Sequence, residues 1–178
     1  MAMKKITNFL LAQEFLSSVG GKDAVTLAKI CEKKNRPVTD EEIEKHLKVK
    51  ITEIRTALNR LHYRGIAVYQ KKRNNKTGWY SYTWEIKTKR IAELILEQQL
   101  EAIAKLDKRI EYEATYVFFT CKKKCSTVPF EIATEYQFRC PECGTTMNTI
   151  DNKKNLKEIK KQKETLESEL EELKKMTI

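Results

Sequence analysis

With 178 residues, of which 40% are apolar and 34% charged, the chain has room for one or two small cores beneath a well-solvated surface. Its formal net charge of +10 is concentrated, since residues 1–90 carry 20 Lys and Arg against 9 Asp and Glu while residues 91–120 carry 3 against 6. A positive field over the N-terminal half points to a polyanionic partner there, and no run approaches the ~20 apolar residues of a membrane helix.

The N-terminal MAMKKITNFLLAQEF has lysines and a brief apolar run, but Glu14 interrupts it before any cleavage motif, so an intracellular, cytoplasmic protein is expected. Ile6, Phe9, Leu10, Leu16 and Val19 recur at roughly helical spacing, and Gly20-Gly21 stops the run. Asp23 is placed to cap a second helix carrying Val25, Leu27, Ala28, Ile30 and Cys31, which ends before Arg36-Pro37. Thr39 followed by Glu42 forms a capping box for a third helix, with Asp40 and Glu41 in its first turn and Ile43 and Leu47 as its stripe. A fourth helix is predicted from about Thr52 to Tyr63, with Ile54, Leu58 and Leu61 inward and Arg64-Gly65 at its end. Two strand-like runs follow, Ile66–Tyr69 and Trp79–Ile86, joined by KKRNNKTG, where Asn, Asn and Gly supply a hairpin turn. Helices leading into a β-hairpin describe a winged helix–turn–helix extended by one N-terminal helix.

Residues 89–111 lack Gly and Pro, and Leu96, Leu100, Ile103 and Ile110 mark a long helix with a narrow seam. Near the C-terminus Leu156, Ile159, Leu166, Leu170 and Leu173 fall on heptad a and d positions, with Lys163 as the misfit. An intramolecular antiparallel pair of these helices and dimerisation through one of them are the two arrangements the pattern allows.

Between them lie two cysteine pairs, Cys121 with Cys125 and Cys140 with Cys143. Two thiolate pairs joined by a loop of hairpin size suit one Zn²⁺ held tetrahedrally by four sulfurs, a closed structural site with no position open for water. Four unrelated cysteines are the plainer alternative. CPECG stiffens its turn with Pro141 and leaves through Gly144, whereas CKKKC has neither Pro nor Gly and spaces its cysteines one residue wider. Val117–Phe119, Val128, Phe130, Ile132, Tyr136 and Phe138 read as a three-stranded ribbon too small to fold without the metal. Cys31 reads as a small core residue.

For contact with nucleic acid, the fourth helix offers Glu53 among Arg55, Asn59 and Arg60, next to Asp40, Glu41, Glu42 and Glu44. That mixture suits surface ion pairs better than reading of a phosphate-lined groove. The hairpin differs. Lys71, Lys72, Arg73 and Lys76 cluster beside Trp79, Tyr80, Tyr82 and Trp84, and cations next to planar rings suit a strand whose bases are unstacked. Tyr82 and Trp84 also fit a role in covering the helical core.

TGWYSYTW on the wing, FEIA followed by YQFRCPECG in the ribbon, and DEEI…L…IRTALNRL in the helix–turn–helix together resemble the transcription factor E family, archaeal relatives of the α-subunit of the eukaryotic general factor TFIIE. The resemblance covers about residues 1–150 and implies a non-enzymatic initiation factor that docks its winged helix on the RNA polymerase clamp. It places the wing, with Lys71–Arg73, Lys76, Trp79, Tyr80 and Tyr82, near the non-template strand of promoter DNA. It makes Cys121, Cys125, Cys140 and Cys143 the ligands of one structural zinc, and it adds TATA-binding protein and a β-subunit as candidate partners. The wider first pair departs from the family's commoner two-residue gap.

The expected fold is mainly α with small β elements: an extended winged helix over 1–88, a helical linker over 89–113, a zinc ribbon over 114–150 and a C-terminal amphipathic helix over 151–178. The expected function is a general transcription initiation factor that binds polymerase and promotes promoter opening. The alternative is a sequence-specific dimeric winged-helix regulator. Catalysis has little support, because His46 and His62, the two histidines, stand apart from any catalytic constellation.

Overall fold

The computed structural model describes residues 6–73, 75 and 78–177. Two compact units emerge, Met1–Gln98 with Glu172–Ile178, and Gln99–Glu171.

In the first unit a 3-10 turn, Ile6–Asn8, precedes α1 (Leu10–Gly20) and α2 (Ala24–Lys34). The turn between these helices is tight. A Cβ on Gly20 would come within 2.6 Å of the Ala24 Cβ, and Gly21 takes φ +88°. Asp23 makes no side-chain cap bond, so the expected cap is absent there. Next come β1 (Val38–Thr39), α3 (Asp40–Leu47), α4 (Ile51–Tyr63), β2 (Ala67–Arg73) and β3 (Tyr80–Ile86). Half of the anticipated capping box forms: the Thr39 hydroxyl accepts from the Glu42 N–H at 3.3 Å, while the Glu42 carboxylate turns to Arg36 at 2.9 Å instead.

The sheet order is β1-β3-β2, antiparallel throughout, with Tyr69 opposite Trp84 and Arg73 opposite Tyr80. Lys71–Arg73 therefore belong to a strand, where the sequence reading has them in the loop. Strand β1 was not anticipated; two residues suffice, because Val38 and Thr39 pair with Trp84 and Thr83 and close the open edge of β3. Leu16, Leu27, Ile43, Leu58, Leu61 and Ile66 fill the core under this winged helix–turn–helix. Ile91 and Ile95 join it from the start of α5 (Thr88–Thr115), as does Leu173 from α7 (Lys153–Thr177).

The second unit holds the remaining turns of α5 and α7 and a small sheet, β4 (Phe118–Cys121), β5 (Thr127–Pro129) and β6 (Met147–Ile150), ordered β5-β4-β6. Three strands are present, but the third follows the second cysteine pair. Phe130 and Ile132, read as strand residues, lie instead on a short helix, α6 (Phe130–Glu135), which Pro129 introduces with Glu131 in the first turn. Phe119, Phe130 and Phe138 still pack together, with ring centroids 5.0–6.1 Å apart.

Within this unit the two long helices run antiparallel: Gln99 faces Glu169 at 3.4 Å, Asp107 faces Lys163 at 2.6 Å and Glu113 faces Asn155 at 2.9 Å. The α7 stripe is the expected one, with Ile159 and Leu170 buried. On α5 Leu96, Ile103 and Ile110 are half-buried as expected, but at the centre of the stripe Gln99 is buried and Leu100 is 52% exposed. Lys163 fits the seam because the Asp107 carboxylate meets its ammonium.

Candidate metal centre and wing

The Sγ atoms of Cys121, Cys125, Cys140 and Cys143 lie within 4.8 Å of one another. Cys121 is 3.9 Å from Cys125 and 3.5 Å from Cys143, and Cys125 is 3.5 Å from Cys143. A tetrahedral Zn²⁺ with ~2.3 Å bonds to sulfur requires S···S edges of ~3.8 Å, so the donor set fits such an ion. Each pair sits on a tight turn. The Lys124 N–H donates to the Cys121 carbonyl at 2.8 Å, and the Gly144 N–H donates to the Cys140 carbonyl at 2.8 Å. Lys124 takes φ +57° and Gly144 φ +69°, so the lysine-only knuckle reaches through a lysine the backbone region its counterpart enters through glycine.

Electrostatics favours a cation among these sulfurs. The hydroxyl and N–H of Thr145 hold the Cys143 thiol down to about 6. A hydrogen bond with Ser126 lowers Cys140, and the Ser126 Oγ lies 3.3 Å from its Sγ. Cys125 is pushed up to about 12, chiefly by its hydrogen bond to Cys143, because a second negative charge beside the first is costly. A divalent ion held by these four sulfurs would remove that repulsion and let all four act as thiolates.

On the wing, Lys71, Lys72 and Arg73 are exposed on β2, Tyr80 and Tyr82 lie on β3, and Trp79 just precedes β3 with 79% of its surface exposed. Lys76 lies outside the described residues. Cross-strand register puts Lys71 and Arg73 on the face that carries Tyr82 and Tyr80, with the Lys71 Nζ 3.9 Å from the Tyr80 ring centroid. Lys72 points to the other face, opposite Ser81. Trp84 is 4% exposed and belongs to the core.

Two features escaped the sequence. Tyr69 continues the ring-bearing face, 5.7 Å from Tyr82 and 5.1 Å from His62, and its position two residues before Lys71 on one strand was the available signal. Asp40, counted above among the surface acids, is 3% exposed; it accepts from the Trp84 Nε1–H at 2.8 Å and from the Arg55 Nε–H at 2.6 Å. Arg55 is thus engaged inside the domain, whereas Arg60 makes no ion pair among the described residues.

A family model described as the TFIIE alpha subunit matches residues 10–115. Transcription factor E of Thermococcus kodakarensis is 32% identical over 171 residues, 96% of this chain and 90% of that protein. The same-named protein of Pyrococcus abyssi is 34% identical over 158 residues, 88% of this chain and 83% of that one. That of Metallosphaera sedula is 31% identical over 160 residues, 90% and 91% respectively. A solved possible transcriptional regulator from Methanosarcina mazei Go1 aligns at a TM-score of 0.46 and 16% identity, over 55% of this chain and 86% of its own, a likeness too loose to build on.

Proposed function

We propose, from the premise that the chain belongs to the TFIIE alpha-subunit family and is a general transcription factor rather than an enzyme, that it binds RNA polymerase and promotes promoter opening with its wing against the non-template strand. The observation that carries this reading is the wing face, where Lys71 lies 3.9 Å over the Tyr80 ring beside the exposed Trp79. Rings offer stacking surfaces to bases that have left the duplex, and ammonium groups neutralise the phosphates between them. Phosphate neutralisation serves duplex DNA at least as well, so the discriminating term is stacking, which only unpaired bases can offer, and contacts made only in the open state shift the equilibrium toward melting. About 1.4 kcal/mol of such differential binding gives a tenfold shift.

On this reading residues 1–88 act as the winged-helix domain that docks on the polymerase clamp, 89–113 as a linker, 114–150 as a zinc ribbon and 151–178 as a C-terminal helix. Zinc is the ion assigned to Cys121, Cys125, Cys140 and Cys143, where it clamps the ribbon and takes no part in chemistry. TATA-binding protein and a β-subunit are further proposed partners. The protein's place is the cytoplasm, on the nucleoid; among the described residues no helix is long and apolar enough to cross a membrane.

The regulator alternative finds less support. It needs base contacts from α4, whose Arg55 is tied to Asp40, and a free seam for dimerisation, whereas α7 turns its stripe toward α5. Replacing Trp79 and Tyr80 together with Ala tests the wing. The expected result is impaired melting at weak promoters in a reconstituted transcription system, with metal content and fold unchanged. Equal melting by both forms removes the wing from the mechanism.

A further inference from the structure

We infer that Asp40 is the positioning residue of the wing: from the first turn of α3 its carboxylate holds the Trp84 indole, and so fixes the direction in which the outer hairpin presents Lys71 and Tyr80.

The outer hairpin has little else to direct it. On β2 only Ala67 is buried, and the strand is exposed from Tyr69 to Arg73. On β3 burial ends at Trp84, with Thr83 and Tyr82 half-buried and Ser81 and Tyr80 exposed. Beyond Thr83, the last residue paired with β1, the hairpin is held mainly by its own two-stranded ladder and the Tyr69–Tyr82 ring contact, which set strand spacing but leave twist soft. The wing inherits its direction from its root.

At that root Trp84 is the central residue, with Tyr69 opposite on one side and Val38 on the other. Its indole N–H is a donor with no other capacity, and inside the core it needs an acceptor. Asp40 Oδ1 supplies one at 2.8 Å from 44 residues away in sequence. The other oxygen, Oδ2, takes the Arg55 Nε–H from α4 at 2.6 Å. One carboxylate thus joins α3, α4 and β3, and its place at the start of α3, just after the Thr39 cap, suits a negative charge. Tyr80 lies four residues beyond Trp84, about 13 Å at ~3.3 Å per residue, so a tilt of roughly ten degrees at the root moves the tip by about 2 Å. Asp40 acts through Trp84 and touches no partner itself. Its consequence for promoter opening rests on the wing reading above; its geometric role does not.

The chain has two tryptophans, one at the root and one at the tip, so the indole N–H signals of the ¹⁵N-labelled full chain report both ends of the lever. The Trp84 indole is expected to exchange with solvent at least about a hundredfold more slowly than that of Trp79. Asp40→Asn keeps an oxygen for the indole and should hold this protection within about threefold. Asp40→Leu, which fills similar space without an acceptor, should speed exchange of the Trp84 indole and the Ser81–Thr83 amides at least tenfold or so while the Leu58 amide stays protected. Trp84→Phe keeps a ring in the core and should release the same amides, which covers the case of an Asp40→Leu chain that does not fold. Equal exchange at the two indoles, or Ser81–Thr83 amides unmoved by Trp84→Phe, overturns the proposal. So does a Leu variant as well protected as the native chain, the mark of a space-filling role, or an Asn variant as loosened as the Leu variant, the mark of a need for the charge facing Arg55 rather than for an acceptor. If melting is unaffected by the Trp79 and Tyr80 changes, the wing reading fails, and the exchange data still decide for Asp40.

Discussion

Asp40 and Cys31 lie in the same core and meet burial in opposite ways. Asp40 is buried between two donors, and the cost of removing it falls on the partner left behind. Asp40→Ala strands the Trp84 indole N–H in a buried setting, which costs about 2–3 kcal/mol of stability. Urea unfolding followed by tryptophan fluorescence measures it, since Trp79 and Trp84 both belong to the first unit. Cys31 has no such partner, and burial pushes its thiol up to about 12, only partly offset by Lys34. In the folded chain at pH 8 its alkylation by iodoacetamide should be about a thousandfold slower than that of an ordinary thiol. Because the folded form holds its proton more tightly than the unfolded one, this contribution to stability is complete below about pH 9 and is lost as pH rises toward 12. The role of Cys31 was legible from its place in an apolar stripe. That of Asp40 was not, because an Asp in the first turn of a helix ordinarily faces water, and nothing in the local pattern points to a tryptophan 44 residues on.

Among the elements, the α5–α7 pair shows where pattern reading works and where it fails. Every apolar position of α7 was correctly placed because the heptad is written in leucine and isoleucine. The α5 seam was read correctly at Leu96, Ile103 and Ile110 but missed at Leu100, because its central position is Gln99, which hydropathy counts as surface although its amide reaches Glu169. Lys163 follows the same rule from the other helix. Lys163→Leu gives up two ion pairs whose acids, Asp107 and Glu167, remain half-exposed to water, and gains apolar burial in the seam. The expected gain is about 1 kcal/mol, seen as a higher melting temperature of the helical signal. In the ribbon, the short apolar run around Phe130 was ambiguous between strand and helix, and Pro129 with its following acid decides for α6. The basic stretch after Tyr69 read as loop, yet its pairing through Arg73 opposite Tyr80 shows that ladder hydrogen bonds outweigh the poor strand propensity of lysine.

For the whole molecule, each unit depends on a different source of stability. The first has a core of large aliphatic side chains; the second has a helical seam with Ile159 and Leu170 buried and, in the ribbon, a thin cluster in which Cys121, Cys140 and Met147 are the buried members beneath Phe119 and Val128. Removing the metal by chelation should therefore strip amide protection from Phe118–Cys121 and Met147–Ile150 and leave the Leu27 and Leu58 amides unchanged. Equal loss in both units contradicts a separate, metal-clamped ribbon. The cysteine spacing made the cluster legible in the sequence, and the charge distribution made the basic half legible; the partner that receives them is where composition falls silent, and family membership supplies the class. The most direct measurement is retention of purified RNA polymerase by the tagged chain, with and without promoter DNA, beside binding of the chain to DNA alone. Firm retention of polymerase in both conditions, with weak and salt-sensitive binding to free DNA, is the expected result. A chain that ignores polymerase and by itself seizes one inverted-repeat duplex tightly contradicts it.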